Sequence, residues 1–134
     1  MPKRIKEFKV ITPNGIKPKP NDYEKKVARI MAEYLQSDIL FIKRSTSTTP
    51  DILAIRLNQI WEIKNIRGSN QNTIGRNLKG IYRQSENVII TLFRTSMSKD
   101  QAVGRIRQKL ARANRIKRLV LITRAVKLVI IKQK

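Results

Sequence analysis

Pro50-Asp51-Ile52-Leu53-Ala54-Ile55 and Gln59-Ile60-Trp61-Glu62-Ile63-Lys64, joined by Arg56-Leu57-Asn58, form the stretch from which the fold is read. Each run is short and apolar, and Arg56-Leu57-Asn58 makes a tight connection. Two consecutive strands are expected, Asp51–Ile55 and Gln59–Lys64. Side chains two apart on a strand share a face, so Glu62 and Lys64 point one way and Trp61 and Ile63 the other. Antiparallel pairing through so short a connector would bring Asp51, at the start of one strand, towards Glu62 and Lys64 at the end of the other.

Outward from this pair, the upstream residues begin with a basic segment broken by Pro2, Pro13, Pro18 and Pro20. Phe8-Lys9-Val10-Ile11 suits a short strand, but residues 1–20 read mainly as an arm or linker, with the domain spanning 21–134. Asn21 and Glu24 have the spacing of a capping box, and a helix to about Gln36 follows with the stripe Val27, Ala28, Ile30, Met31, Tyr34 and Leu35. Glu24 falls at the edge of that stripe. Asp38–Ile42 is a further apolar strand.

Downstream, polar residues 65–72 open a second helix over Thr73–Ser85 with Ile74, Leu78, Ile81 and Tyr82 inward. Val88–Phe93 reads as a strand. Ser98 and Gln101 repeat the capping-box spacing before a third helix carrying Val103, Ile106, Leu110 and Ala113. Leu119–Ile122 and Val126–Ile131 make a hairpin around Arg124-Ala125. The order α-β-β-β-α-β-α-β-β is that of an α/β (α+β) domain, a central mixed β-sheet flanked by helices.

Composition limits the chemistry. The 134 residues hold 30 Lys plus Arg against 9 Asp plus Glu, a formal net charge of +21, with 40% apolar residues. A chain of this size folds around one modest core, and its charge calls for a polyanionic partner, usually nucleic acid. No apolar run reaches the roughly 18–20 residues that span a bilayer, and the first residues lack the apolar stretch of a secretory signal. With no Cys and no His, disulfides, thiol nucleophiles, Ser-His triads, HNH sites and HExxH metal sites are excluded. Catalysis has to run on carboxylates, lysine, hydroxyls or a bound metal.

In a chain so poor in acids, Asp51 and Glu62 stand out. Their carboxylates and the carbonyl oxygen of Ile63 are hard ligands suited to Mg²⁺, with Mn²⁺ or Zn²⁺ as other divalent candidates. A metal held there could polarise a phosphodiester, and Lys64 could stabilise the developing charge. The alternative is that Glu62 and Lys64 belong to the solvated face of an amphipathic strand while Asp51 caps a turn.

The helix-strand order with D…E-x-K resembles the PD-(D/E)xK nuclease superfamily. More narrowly, Pro50-Asp51-Ile52-Leu53, Trp61-Glu62-Ile63-Lys64, Gly68-Ser69 with Asn72-Thr73-Ile74, Asn77-Leu78 and Gln84-Ser85-Glu86-Asn87-Val88-Ile89-Ile90 are similar to the C-terminal tRNase domains of CdiA-type contact-dependent growth-inhibition toxins. The resemblance spans about residues 22–131. It implies Asp51, Glu62 and Lys64 as a catalytic core, Glu24 as a fourth member, and an acidic immunity protein as partner. It also implies delivery into a target cell and action on tRNA in its cytoplasm.

Thr73, Asn77 and Gln84 share a polar stripe of the second predicted helix, which either lines a substrate cleft or is an ordinary solvated face. Arg105, Arg107, Lys109, Arg112, Arg115, Lys117 and Arg118 lie in and after the third, where almost no acidic partner occurs. They suit phosphate contacts that do not read sequence, Arg105 and Arg112 being the representatives taken as substrate-binding. Two other functions use the same composition: a DNA endonuclease of the same superfamily, such as a junction resolvase or mobile-element nuclease, and a non-catalytic basic nucleic-acid-binding protein.

Overall fold

Asn21 opens the first helix as the spacing predicts. Its side chain accepts the Glu24 backbone N–H at 2.8 Å, and Glu24 Oε1 accepts the Asn21 N–H at 2.8 Å. The computed structural model describes residues 7–17, 19–43, 51–67, 86–111 and 115–133. Its elements are β1 (Val10–Ile11), α1 (Asp22–Leu35), β2 (Ile39–Ile42), β3 (Asp51–Ala54), β4 (Gln59–Arg67), β5 (Asn87–Arg94), α2 (Lys99–Leu110), β6 (Arg118–Ile122) and β7 (Leu128–Lys132). The architecture is mixed α+β, with seven strands and two helices among the described residues. The helix expected over Thr73–Ser85 lies outside them. The chain divides into two compact units, Met1–Ile60 and Trp61–Lys134.

In the first unit β1 runs parallel to β2, and β2 runs antiparallel to β3 with Phe41 opposite Ile52. Val10–Ile11, within the segment read mainly as an arm, is therefore paired strand. Lys9 reinforces it, donating its N–H to Asp38 Oδ1 at 2.8 Å and accepting the Ile39 N–H at 2.8 Å. Helix α1 packs against these strands, with Val27, Ala28 and Met31 fully buried. Gln36 ends it in the left-handed region at φ 52°. Arg56 then donates to the helix's last carbonyls, Nε to Gln36 O and Nη2 to Leu35 O, both at 2.7 Å. A cation is favourable at that end of the helix dipole.

In the second unit β4, β5 and β6 are mutually parallel and β7 closes antiparallel on β6. Parallel strands hide both faces, and every residue from Asn87 to Leu92 is buried. One face carries Ile66, Val88, Ile90, Leu92, Leu119 and Leu121, covered by Ala102 and Ile106 of α2. Residues 65–67, expected as part of a polar opening to the next helix, instead extend β4. A register irregularity between Asn65 and Arg67 accompanies the placing of Ile66 in the core.

Helix α2 has the expected capping box, Ser98 Oγ accepting the Gln101 N–H at 3.2 Å and Gln101 Oε1 accepting the Ser98 N–H at 3.4 Å. Gly104 sits exposed in its middle, and a Cβ there would meet nothing within 4 Å. Gly104→Ala is expected to raise stability by about 1 kcal/mol, the difference in helix propensity, read as a higher urea midpoint. An unchanged or lower midpoint would show that this stretch is not an open helix surface.

The β6–β7 turn is longer than predicted. Thr123 accepts the Val126 N–H at 2.9 Å and donates its own N–H to Lys127 O at 2.9 Å, so Val126 and Lys127 belong to the turn rather than to the strand. Arg124-Ala125-Val126 is a three-residue hairpin loop of the kind whose third residue adopts the left-handed region, where Gly is usual. Val126 occupies it at φ 61°. Left-handed backbone costs an L-residue roughly 1–2 kcal/mol, and glycine's extra unfolded freedom offsets about half. Val126→Gly is expected to stabilise by about 0.5–1 kcal/mol. Val126→Ala should bring no such gain, and equal midpoints for the two would contradict the strain.

Candidate functional site

Register fixes the surroundings of Glu62 and Lys64. Glu62 is opposite Val88, itself opposite Leu119; Lys64 is opposite Ile90, itself opposite Leu121. Both charged residues are half-buried, and both rows continue into fully buried aliphatic side chains.

Trp61 and Ile63 occupy the opposite face of β4 and are each 1% exposed. Two polar pairs lie on that face of the unit. Thr91 Oγ1 donates to Asn65 Oδ1 at 2.5 Å, and Arg118 Nη1 donates to Asn87 Oδ1 at 2.9 Å. Of these residues Thr91 and Asn65 escape the sequence reading, although Thr91 interrupts an otherwise aliphatic run and Asn65 directly follows Lys64.

Asp51 and Glu24 belong to the first unit. Asp51 is fully buried at the start of β3, opposite Ile42, and strand alternation puts it on the face of Leu53. Glu24 is 5% exposed and gives Oε1 to the capping box. Burying a carboxylate is costly, so both positions need partners or a task. Among the described residues, no three acidic side chains gather as a metal-holding group. The set read from sequence consists of two carboxylates and the Ile63 carbonyl. All are hard oxygen donors, a chemistry that fits Mg²⁺ or Mn²⁺ better than Zn²⁺ in a chain with no His or Cys.

Of the expected substrate-binding residues, Thr73, Asn77, Gln84 and Arg112 lie outside the described residues. Arg105 is half-buried on the flank of α2, and its Nη1 is buried with no hydrogen-bond partner. A phosphate oxygen is a matching acceptor for a guanidinium. Arg107, Lys109 and Arg115 are exposed. Lys117 pairs with Glu86 at 3.3 Å, but both side chains are about half exposed, so this bond contributes little. Among the described residues no helix is long and apolar enough to cross a membrane.

Residues 48–128 match a family described as "Contact-dependent growth inhibition CdiA C-terminal domain". A solved structure, "CdiA-CT/CdiI toxin and immunity complex from Burkholderia pseudomallei", aligns with a TM-score of 0.61 over 92% of this chain and 98% of that one, at 14% identity. At that identity the likeness is one of fold. No curated protein matches the chain.

Proposed function

The chain belongs to the contact-dependent growth inhibition CdiA C-terminal domain family, a family of bacterial toxin domains, and from that membership we propose that it is a nuclease cutting phosphodiester bonds in tRNA or structured RNA. The observation that carries the reading is the placement of Glu62 and Lys64, an acid and a base two residues apart on β4, half-buried in rows that lead into the apolar core. A D…E-x-K set of the PD-(D/E)xK kind, made of Asp51, Glu62 and Lys64, is the proposed catalytic core.

In this reading Asp51, Glu62 and the Ile63 carbonyl hold a divalent cation, Mg²⁺ by donor chemistry. The cation, when bound, supplies Lewis-acid activation of the phosphodiester. Lys64 places its ammonium against the charge that develops on the phosphoryl oxygens. Glu24, buried in the first turn of α1, orients a water or assists the metal. Arg105 offers its half-buried guanidinium to a substrate phosphate, with Arg112, Thr73, Asn77 and Gln84 as further contacts proposed from sequence. The surplus of cations holds RNA largely through its backbone.

The toxin would act in the cytoplasm of a target cell after delivery. It would be neutralised by an acidic immunity protein complementary to so basic a surface, a reading that the toxin–immunity neighbour supports. The decisive assay incubates the chain with total tRNA and with plasmid DNA, each with and without EDTA. Mg²⁺-dependent loss of tRNA with intact plasmid is the expected result. Cutting of DNA alone would favour the DNA nuclease alternative, and no cutting of either would favour the non-catalytic one.

A further inference from the structure

A groove of about 480 Å³ opens in the second unit where β5 and β6 end. Leu92, Met97 and Leu128 give it an apolar floor, and Lys99, Arg124 and Lys127 supply its charge. No carboxylate stands among its described lining residues. We propose that this groove binds one nucleotide of a single-stranded RNA segment, its base on the apolar floor and its phosphate on the three cations. The proposal rests on the reading of the chain as an RNA-directed toxin.

Four observations converge on it. The groove lies beyond the carboxyl ends of parallel strands, where open α/β sheets bind ligands. Its volume is that of a small-ligand pocket, roughly 300–1,000 Å³, rather than of a broad protein interface. Arg124 is anchored on one side, Nη1 donating to Thr95 O at 2.9 Å. A guanidinium has five N–H donors and a planar face on which a base can stack, so most of its binding capacity stays available. Finally, Arg124 and Lys127 are presented by the strained turn around Val126, and such strain collects at working sites.

The groove also continues the candidate site. Leu92 lies two residues beyond Ile90, the register partner of Lys64, and on the same face of β5. Two residues of strand span about 7 Å, so the groove opens one strand repeat beyond the row of Lys64, where the face covered by α2 ends. Apolar floor and cationic rim together match a nucleotide, which joins a flat ring system to an anion. An acidic protein loop would use the cations but has less need of the floor.

The test uses the full chain carrying Glu62→Gln, so that binding is read without cleavage, and a labelled single-stranded RNA dodecamer. Adding Lys99→Gln, Arg124→Gln and Lys127→Gln together should weaken binding at least tenfold. It should also flatten the dependence of log K on log salt by about 0.7, the value for one phosphate neutralised on a single strand. Guanosine 5′-monophosphate should shift the Met97 methyl resonance, and inorganic phosphate should not. Fluorescence of Trp61, the chain's single tryptophan, reports that the variants fold. An unchanged salt slope in the triple variant overturns the proposal. So does an equal Met97 shift with inorganic phosphate, or a triple variant that keeps RNA but no longer binds an acidic protein partner. If the unmodified chain cuts no RNA but these binding results hold, the nuclease reading fails and the groove stands. If it cuts RNA while the triple variant binds as before, the groove fails and the nuclease reading stands.

Discussion

Glu62→Gln is expected to reduce RNA cleavage by ~10²–10⁴-fold while RNA binding persists or tightens, and Asp51→Asn to do the same. The amide keeps the shape of the acid, so the row of Glu62, Val88 and Leu119 should pack as before. What is lost is the negative charge that would hold a cation and oppose Lys64. Removing negative charge close to where phosphate binds lowers repulsion, hence tighter binding. Asp51 is fully buried, so its variant is checked for folding by thermal denaturation before its rate is read. Lys64→Met should lower the rate without relieving any repulsion, which separates the base from the acids. Single-turnover cleavage of total tRNA, beside a filter-binding isotherm, measures both halves. Full-rate cutting by both Glu62→Gln and Asp51→Asn would remove the proposed core and leave the basic-binding-protein alternative.

How far the sequence reveals this arrangement depends on the range of the interactions. The caps at Asn21–Glu24 and Ser98–Gln101 are legible because each is complete within four residues. The face shared by Glu62 and Lys64 is legible for the same reason, since strand alternation needs only the strand. What that face carries is not. The rows through Val88 and Leu119, or Ile90 and Leu121, depend on a register between strands separated by more than twenty residues, which local pattern does not set. The extension of β4 through Ile66 and the pairing of Val10–Ile11 with β2 escape notice likewise. Arg56 looks like one more cation in a basic chain until the end of α1 is placed beside it. At Val126 the local signal points the wrong way, because a β-branched residue stands where the loop geometry favours glycine.

The candidate site is legible in identity more than in setting. Scarcity singles out Asp51 and Glu62, and the missing His and Cys narrow the donor chemistry to oxygen. Burial adds what counting residues does not. Asp51 is enclosed, Glu24 is committed in part to a helix cap, and Arg105 has a guanidinium nitrogen buried without an acceptor. Of the many basic residues on and around α2, that last feature distinguishes one from a generic cationic surface.

Ile90→Ala is expected to cost about 2–5 kcal/mol, the range for deleting most of a buried aliphatic side chain and leaving a cavity. Ile90 is fully buried in β5, between Lys64 on one neighbouring strand and Leu121 on the other, under the cover of α2. Against a total stability of roughly 5–15 kcal/mol for an ordinary domain, such a loss is a large fraction. The melting temperature should fall by about 10 °C, scaling from a few degrees per kcal/mol for a chain of this size. Ile130→Ala on β7 is the matched control, because Ile130 is 42% exposed and its removal should change stability by no more than about 0.5 kcal/mol. Well below the melting point, Ile90→Ala should also cut RNA more slowly without weaker binding, since the cavity lets the row that holds Lys64 relax while the exposed cations stay in place. Equal losses of stability in the two variants would show that β5 is not the buried strand of its unit. A slower rate matched by equally weak RNA binding would show that Ile90 supports the substrate surface rather than the position of Lys64.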